Sequence, residues 1–303
     1  MRSAVLPPLL ALLALGGCGD DNDPSGGRPT VVTSFYPLTE AATRVGGERM
    51  EVVNLTPAGT EPHDLELTSD QVDAVLDADV VLYLGSGFQP AVEDAIEGRD
   101  GRSIDLLEAV PVERGAIDDL EGAERGGDAV DPHFWLDPTL LADATEVIRE
   151  ALRDLDPGGE STFEANAEAY RGEIMNLDRD LEASLGACRR RDLVTSHAAF
   201  HYLAERYGLR QEPIAGLSPE VEPDPDRLSR LTELIEREGV TTVFYEELVS
   251  PEVAETLARE ADVDTAVLNP IEGLTDEQVD AGDTYASVMR NNLAALVRAL
   301  GCG

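Results

Sequence analysis

The sequence predicts an α/β protein of two lobes, each built on a parallel sheet flanked by helices, joined by one long rigid helix. Three observations lead there. Short β-branched runs alternate with helical patterns along both halves of the chain. The runs are apolar throughout rather than at every second residue, as in strands covered on both faces. Residues 161–185, between the halves, repeat apolar side chains at helical spacing with no proline.

In chain order, Arg2 and an apolar stretch over residues 4–15 lead into Leu15, Gly16, Gly17 and Cys18. The stretch is too short to span a membrane and reads as a signal peptide over residues 1–17. The four residues ending at Cys18 resemble the bacterial lipobox, which implies lipidation of Cys18; the alternative is an ordinary signal peptide with an incidental cysteine. Residues 18–29 read as a polar tether that reaches about 40 Å when extended. Multiple acyl chains anchor stably where one holds weakly, so the expected location is extracytoplasmic, lipid-anchored to the cell membrane.

An N-terminal lobe is expected over residues 30–157, with strands at 31–35, 50–55 and 80–84. Thr68, Ser69, Asp70 and Gln71 fit a capping box that starts a helix. Residues 116–130, rich in Gly and Asp, read as an exposed loop. Asp137 followed by Pro138 places an N-cap and a first-turn proline at another helix start. Phe163, Tyr170, Ile174, Leu177, Leu181 and Leu185 form one stripe on the linking helix, set within residues 158–187, whose 161–185 core is about 37 Å long. The C-terminal lobe, residues 188–303, is expected to hold strands at 193–195, 241–245 and 265–268, with helices starting near Asp224, Ser250 and Thr275. Cys188 precedes its first strand and Cys302 follows its last helix. In an exported chain this even remainder points to a disulfide pinning the C-terminus; the alternative is two separate thiols.

The 61 acidic residues outnumber the 23 basic ones, none of them lysine, for a net charge of -38. Such a charge repels nucleic acid and anionic lipid as direct partners. It reads first as a solvated surface, with concentration of cations as the alternative.

Four histidines are present: His63, His133, His197 and His201. The first three fall in loops or at helix starts, where functional groups gather in α/β folds. With Ser196 as N-cap, His197 would sit in a first helical turn, whose dipole favours the neutral, metal-binding imidazole. Affinity for metal is then expected to fall steeply below about pH 6. His201, one turn on and among Phe200, Tyr202 and Leu203 that suggest helix packing, reads as a residue on the surface or behind the ligands rather than as a ligand. Glu272, in the loop after the 265–268 strand, is the fourth donor that the chemistry favours. The four positions are almost evenly spaced, two in each half, which places the site in the cleft between lobes.

Glu61-Pro62-His63-Asp64, the stretch from His133 through Phe134, Trp135, Leu136 and Asp137 to Pro138, and Thr195-Ser196-His197 followed by Ala198, Ala199 and Phe200 are joined by Leu268-Asn269-Pro270 and the motif YASVMRNNL from Tyr285. With these motifs the chain resembles, over residues 30–300, the zinc-type substrate-binding lipoproteins of the metal ABC importer family. The resemblance implies two α/β lobes joined by a rigid helix, with His63, His133 and His197 as imidazole ligands of Zn2+ carried as cargo. It also implies an ABC importer permease as partner of a monomer. Many members carry Asp, a ligand in some, where Asn269 stands, and some zinc-binding relatives use a Glu shortly after it, matching Glu272. A tetrahedral site is expected with Glu272 as fourth donor and water or Asp64 as the remaining possibility. Several relatives carry a histidine-rich run where residues 116–130 lie; here that loop offers only carboxylates. A secreted zinc hydrolase and a surface adhesin stand as alternatives. The first needs an open metal position and a base, for which Glu61, Asp64 and Glu272 are the nearby carboxylates.

Overall fold

The computed structural model describes residues 27–112, 130–221 and 223–303. The signal segment, Cys18 and most of the 116–130 loop lie outside the described residues. Two four-stranded sheets form. The first contains β1 (Thr30–Thr33), β2 (Glu51–Asn54), β3 (Val80–Tyr83) and β4 (Arg102–Asp105), in the order β2-β1-β3-β4. The second contains β5 (Asp192–Thr195), β6 (Arg210–Pro213), β7 (Thr242–Tyr245) and β8 (Asp264–Val267), in the order β6-β5-β7-β8. Every pairing is parallel, and the second sheet repeats the first sheet's order.

Both faces of each sheet are covered. Val31, Val80 and Leu82 face a large core shared by both lobes, whereas Val32 and Val81 face a smaller one beneath α2 (Ser69–Asp77) and α3 (Pro90–Glu97). In the second lobe Leu193 and Phe244 join the shared core. Val194 and Val243 pack under α8 (Pro225–Glu238) and α9 (Glu252–Glu260). Two buried faces explain why the strands read as continuous apolar runs.

The long helix α6 (Glu160–Leu185) spans 26 residues, about 39 Å. All six side chains of its apolar stripe are buried. It packs on α1 (Tyr36–Gly46) and α5 (Pro138–Leu155) of the first lobe and on α11 (Tyr285–Leu300) of the second. Among the described residues, the remaining α-helices are the short α4 (Leu106–Ala109), α7 (His201–Arg206) and α10 (Asp276–Ala281).

The caps form as local chemistry dictates. Thr68 with Gln71, and Thr275 with Gln278, make complete capping boxes. Asp137 accepts from Thr139 N–H at the start of α5, and Asp224 from Asp226 N–H at α8. Each such cap stabilises its helix by about 1 kcal/mol. A disulfide joins Cys188 to Cys302 across 114 positions of sequence, at the end of β5 away from His197.

Two strands escape the sequence pattern, β4 (RSID) and β6 (RQEP). Both are sheet edges, where one side needs no partner and charged residues or a terminal proline are tolerated. The expected helical turn at His197 does not form. Ser196 accepts from Ala215 N–H (2.8 Å) and Ala198 N–H donates to Gly216 (2.9 Å). These bonds extend the β5–β6 pairing, so the helix begins only at His201, after Phe200.

Candidate metal centre

Four segments, three of them following strands, meet between the lobes. His63 comes from the loop after β2. His133 immediately precedes the single 3₁₀ turn Phe134–Leu136 that leads into α5. His197 follows β5 and Glu272 follows β8. One donor atom from each lies within 4.8 Å of every other. Glu272 Oε1 is 3.1 Å from His133 Nε2, 3.2 Å from His197 Nε2 and 3.5 Å from His63 Nε2. The Nε2 atoms of His133 and His197 are 3.4 Å apart. A tetrahedral ion with arms of 2.0–2.2 Å requires donor separations of roughly 3.3–3.6 Å. Four of the six donor separations, 3.1–3.5 Å, stand near that spacing, and all lie within 4.8 Å.

Two imidazoles are oriented from behind. His133 Nδ1 is 2.7 Å from Asp131 Oδ1, and His197 Nδ1 is 2.7 Å from Glu246 Oε1. Donating Nδ1–H to a carboxylate leaves Nε2 as the lone-pair donor and fixes the ring. Tyr202 Oη donates to the Asp131 carbonyl (3.1 Å), so the second lobe helps hold the first lobe's orienting residue. His63 lacks such a partner among the described residues; its ring packs edge-on to Phe88.

The electrostatics follow from burial and these pairs. Burial disfavours the charged form of His197, but Glu246 and Glu272 outweigh it and hold the ring well above the ordinary histidine range. At His133, burial is likewise outweighed, here by Asp131 and then Glu272. At His63 burial prevails and the pKa falls. Burial would raise Glu272, but His197, His133 and His63 together hold it well below the ordinary carboxylate value. Glu61 is pushed up to about 8 by burial and by Glu272. At His197 the balance runs opposite to the one expected from a helix dipole, because Glu246 and Glu272 favour the charged ring.

Four sequence-level candidates come together: His63, His133, His197 and Glu272. Asp64 is exposed and outside the group. His201 lies outside it too, with its Nε2 3.7 Å from Glu205. Asn269 is buried, but its side chain is engaged elsewhere: Oδ1 accepts from Ile271 N–H (2.6 Å) and Nδ2 donates to Glu247 (2.7 Å). The sequence reading missed Asp131 and Glu246. Their signals were a carboxylate two residues before His133 and one at the carboxyl end of a buried strand.

The loop carrying Glu272 contains a costly residue. Ile271 is fully buried with φ of 58°, a left-handed conformation that costs a β-branched residue about 1–3 kcal/mol. The lobes are also stitched directly at this level. Trp135 Nε1 donates to the Pro270 carbonyl (2.7 Å), Tyr285 Oη to the Trp135 carbonyl (2.6 Å) and Gly59 N–H to the Leu274 carbonyl (2.8 Å).

Two α/β lobes on a spine helix, with three imidazoles and one carboxylate converging from both lobes, define a bilobal metal-binding protein. The chain belongs to the family described as zinc-uptake complex component A periplasmic, whose model matches residues 31–299. It is 38% identical over 302 residues to the zinc-binding lipoprotein AdcA of Streptococcus pneumoniae, covering 97% of this chain and 60% of that protein. To the high-affinity zinc uptake system protein ZnuA of Bacillus subtilis it is 33% identical over 301 residues, covering 94% of this chain and 93% of that one. The Zn(II)-bound ZnuA-like domain of S. pneumoniae AdcA superposes with a TM-score of 0.73 at 37% identity, covering 90% of this chain and 99% of that domain. The chain therefore spans about 60% of the length of the AdcA protein it matches.

Proposed function

We propose that the protein captures zinc outside the cytoplasm, holds it with His63, His133, His197 and Glu272, and passes it to the permease of an ABC importer. One observation carries this reading: a buried His3Glu set, drawn from both lobes, whose carboxylate oxygen stands 3.1–3.5 Å from all three imidazole nitrogens, near the donor spacing of a tetrahedral zinc ion. Imidazole with one carboxylate is borderline chemistry that suits zinc, with copper and nickel as competitors by affinity. The zinc-binding names of the relatives support the same cargo. A hydrolase fits less well. If Glu272 takes the fourth vertex, no position is left for the water that catalytic zinc keeps. Attachment through Cys18 would place the protein at the membrane surface, as the lipoprotein name of its S. pneumoniae relative suggests.

The test is metal analysis of the purified protein with competitive titration of zinc, manganese and copper, followed by zinc accumulation in cells carrying the importer with and without this chain. One tightly held zinc per chain, and accumulation that depends on the chain, are expected. A protein that retains no zinc, or cells that accumulate it equally in both cases, would refute the proposal.

A further inference from the structure

The loop that delivers Glu272 is held by residues that touch no donor atom of the centre. Every polar group of Asn269 is engaged. Its side chain bonds Ile271 N–H and Glu247, as described above. Asn292, on α11, accepts from Asn269 N–H on Oδ1 (2.9 Å) and donates Nδ2–H to the Asn269 carbonyl (2.6 Å). Glu247 also receives Gln278 Nε2 (2.9 Å), which ties the network to α10. Asn269 and Asn292 are almost fully buried. A buried amide pair satisfied on both sides specifies one backbone path, because any other path leaves its donors and acceptors unpaired. That path is the left-handed turn at Ile271, which an isoleucine does not adopt unaided.

We propose that Asn269 and Asn292 are positioning residues. Together they hold the Ile271 turn so that position 272, and not position 269, supplies the carboxylate of the metal centre. The proposal rests on the four-donor reading above. Its physical content is that Asn292 acts on the metal only through Glu272. Without the clamp the turn relaxes toward ordinary φ, and the carboxylate leaves its place 3.1–3.5 Å from the three imidazoles.

A double-mutant cycle in zinc affinity tests this, read by chelator competition at fixed pH on the folded, metal-free protein. Asn292→Ala is expected to weaken zinc binding at least tenfold in the native background, and less than threefold when Glu272→Gln is already present. Equal losses in both backgrounds, or no loss in the native one, would overturn the clamp. If Asn292→Ala does not fold, Asn269→Ser keeps an oxygen near Ile271 N–H, abolishes the amide bond to Glu247, and carries the same cycle. Asn269→Asp supplies an independent arm. Its oxygen still accepts from Ile271, but it faces Glu247 as a like charge, so zinc binding should weaken; a tenfold gain would make position 269 the donor and overturn the proposal. Glu272→Gln alone separates the two levels. If it leaves zinc affinity intact, the four-donor centre falls and the clamp falls with it. If it weakens binding while the cycle is additive, only the clamp falls.

Discussion

Glu272→Gln is the substitution whose effect the geometry fixes most closely. The replacement keeps shape and volume and removes one charge. Glu272 Oε1 lies within 3.5 Å of all three Nε2 atoms, and its side chain is 2% exposed. Water therefore cannot readily take its place. It is the only anionic donor in the group, the other three being imidazoles. Its loss leaves a buried divalent cation without a counter-charge, comparable to breaking a buried ion pair at about 3–5 kcal/mol. That corresponds to a weakening of zinc affinity by roughly two to three and a half decades. Competition against a chromophoric chelator at pH 7.5 and fixed ionic strength reads the change, with melting of the metal-free protein as the folding control. An affinity within threefold of the native protein, in a variant that still folds, would refute the reasoning.

Zinc affinity should decline from neutral pH downward, beginning above the ordinary histidine value of about 6.5 and by up to about one decade per pH unit for each proton displaced. The cause is the raised pKa of His197 and His133 in the metal-free centre; an affinity flat between pH 8 and 6 would contradict it. Stability of the metal-free protein has the opposite sign on its alkaline side. The raised histidines stabilise fully below about pH 6.5 and lose that contribution as pH rises through their folded values. The depressed Glu272 contributes above about pH 4.3 and loses its share as pH falls through its folded value. Without metal these groups should thus raise the melting temperature most between about pH 4.5 and 6.5, whereas excess zinc should move the optimum upward; identical profiles with and without zinc would contradict this. Reduction of Cys188–Cys302, which closes a loop spanning 114 positions, should destabilise the protein by at most about 5 kcal/mol in the chain-entropy model. Zinc affinity at 25 °C should change less than threefold, because the bridge sits at the end of β5 away from His197; a large loss would tie the bridge to the site.

What the sequence disclosed, it disclosed through local chemistry. Capping signals at Thr68, Asp137, Asp224 and Thr275 are side chain-to-backbone bonds within a few residues, and each appears where the pattern puts it. The buried central strands were legible because both faces need apolar cover. The edge strands β4 and β6 were not, because an edge accepts arginine, aspartate and proline without penalty. His63, His197 and Glu272 were legible as residues following strands, and His133 as a loop residue just before a capped helix. The Nδ1 partners were harder to see: Glu246 lies 49 residues from His197, and nothing local marks the pair. The helical reading of residues 196–200 failed because tertiary pairing with Ala215 and Gly216 captured their backbone groups first. The left-handed turn at Ile271 contradicts its own residue type, and only the long-range bonds from Asn292 make it intelligible.

The most direct test of the metal centre is a crystal structure of the zinc-loaded protein with anomalous data at the zinc edge. One strong peak is expected in the cleft, about 2.0–2.2 Å from Nε2 of His63, His133 and His197 and from one oxygen of Glu272, with no water bound. A peak elsewhere, or a zinc held by the three histidines and a water while Glu272 turns to solvent, would contradict the closed four-donor centre.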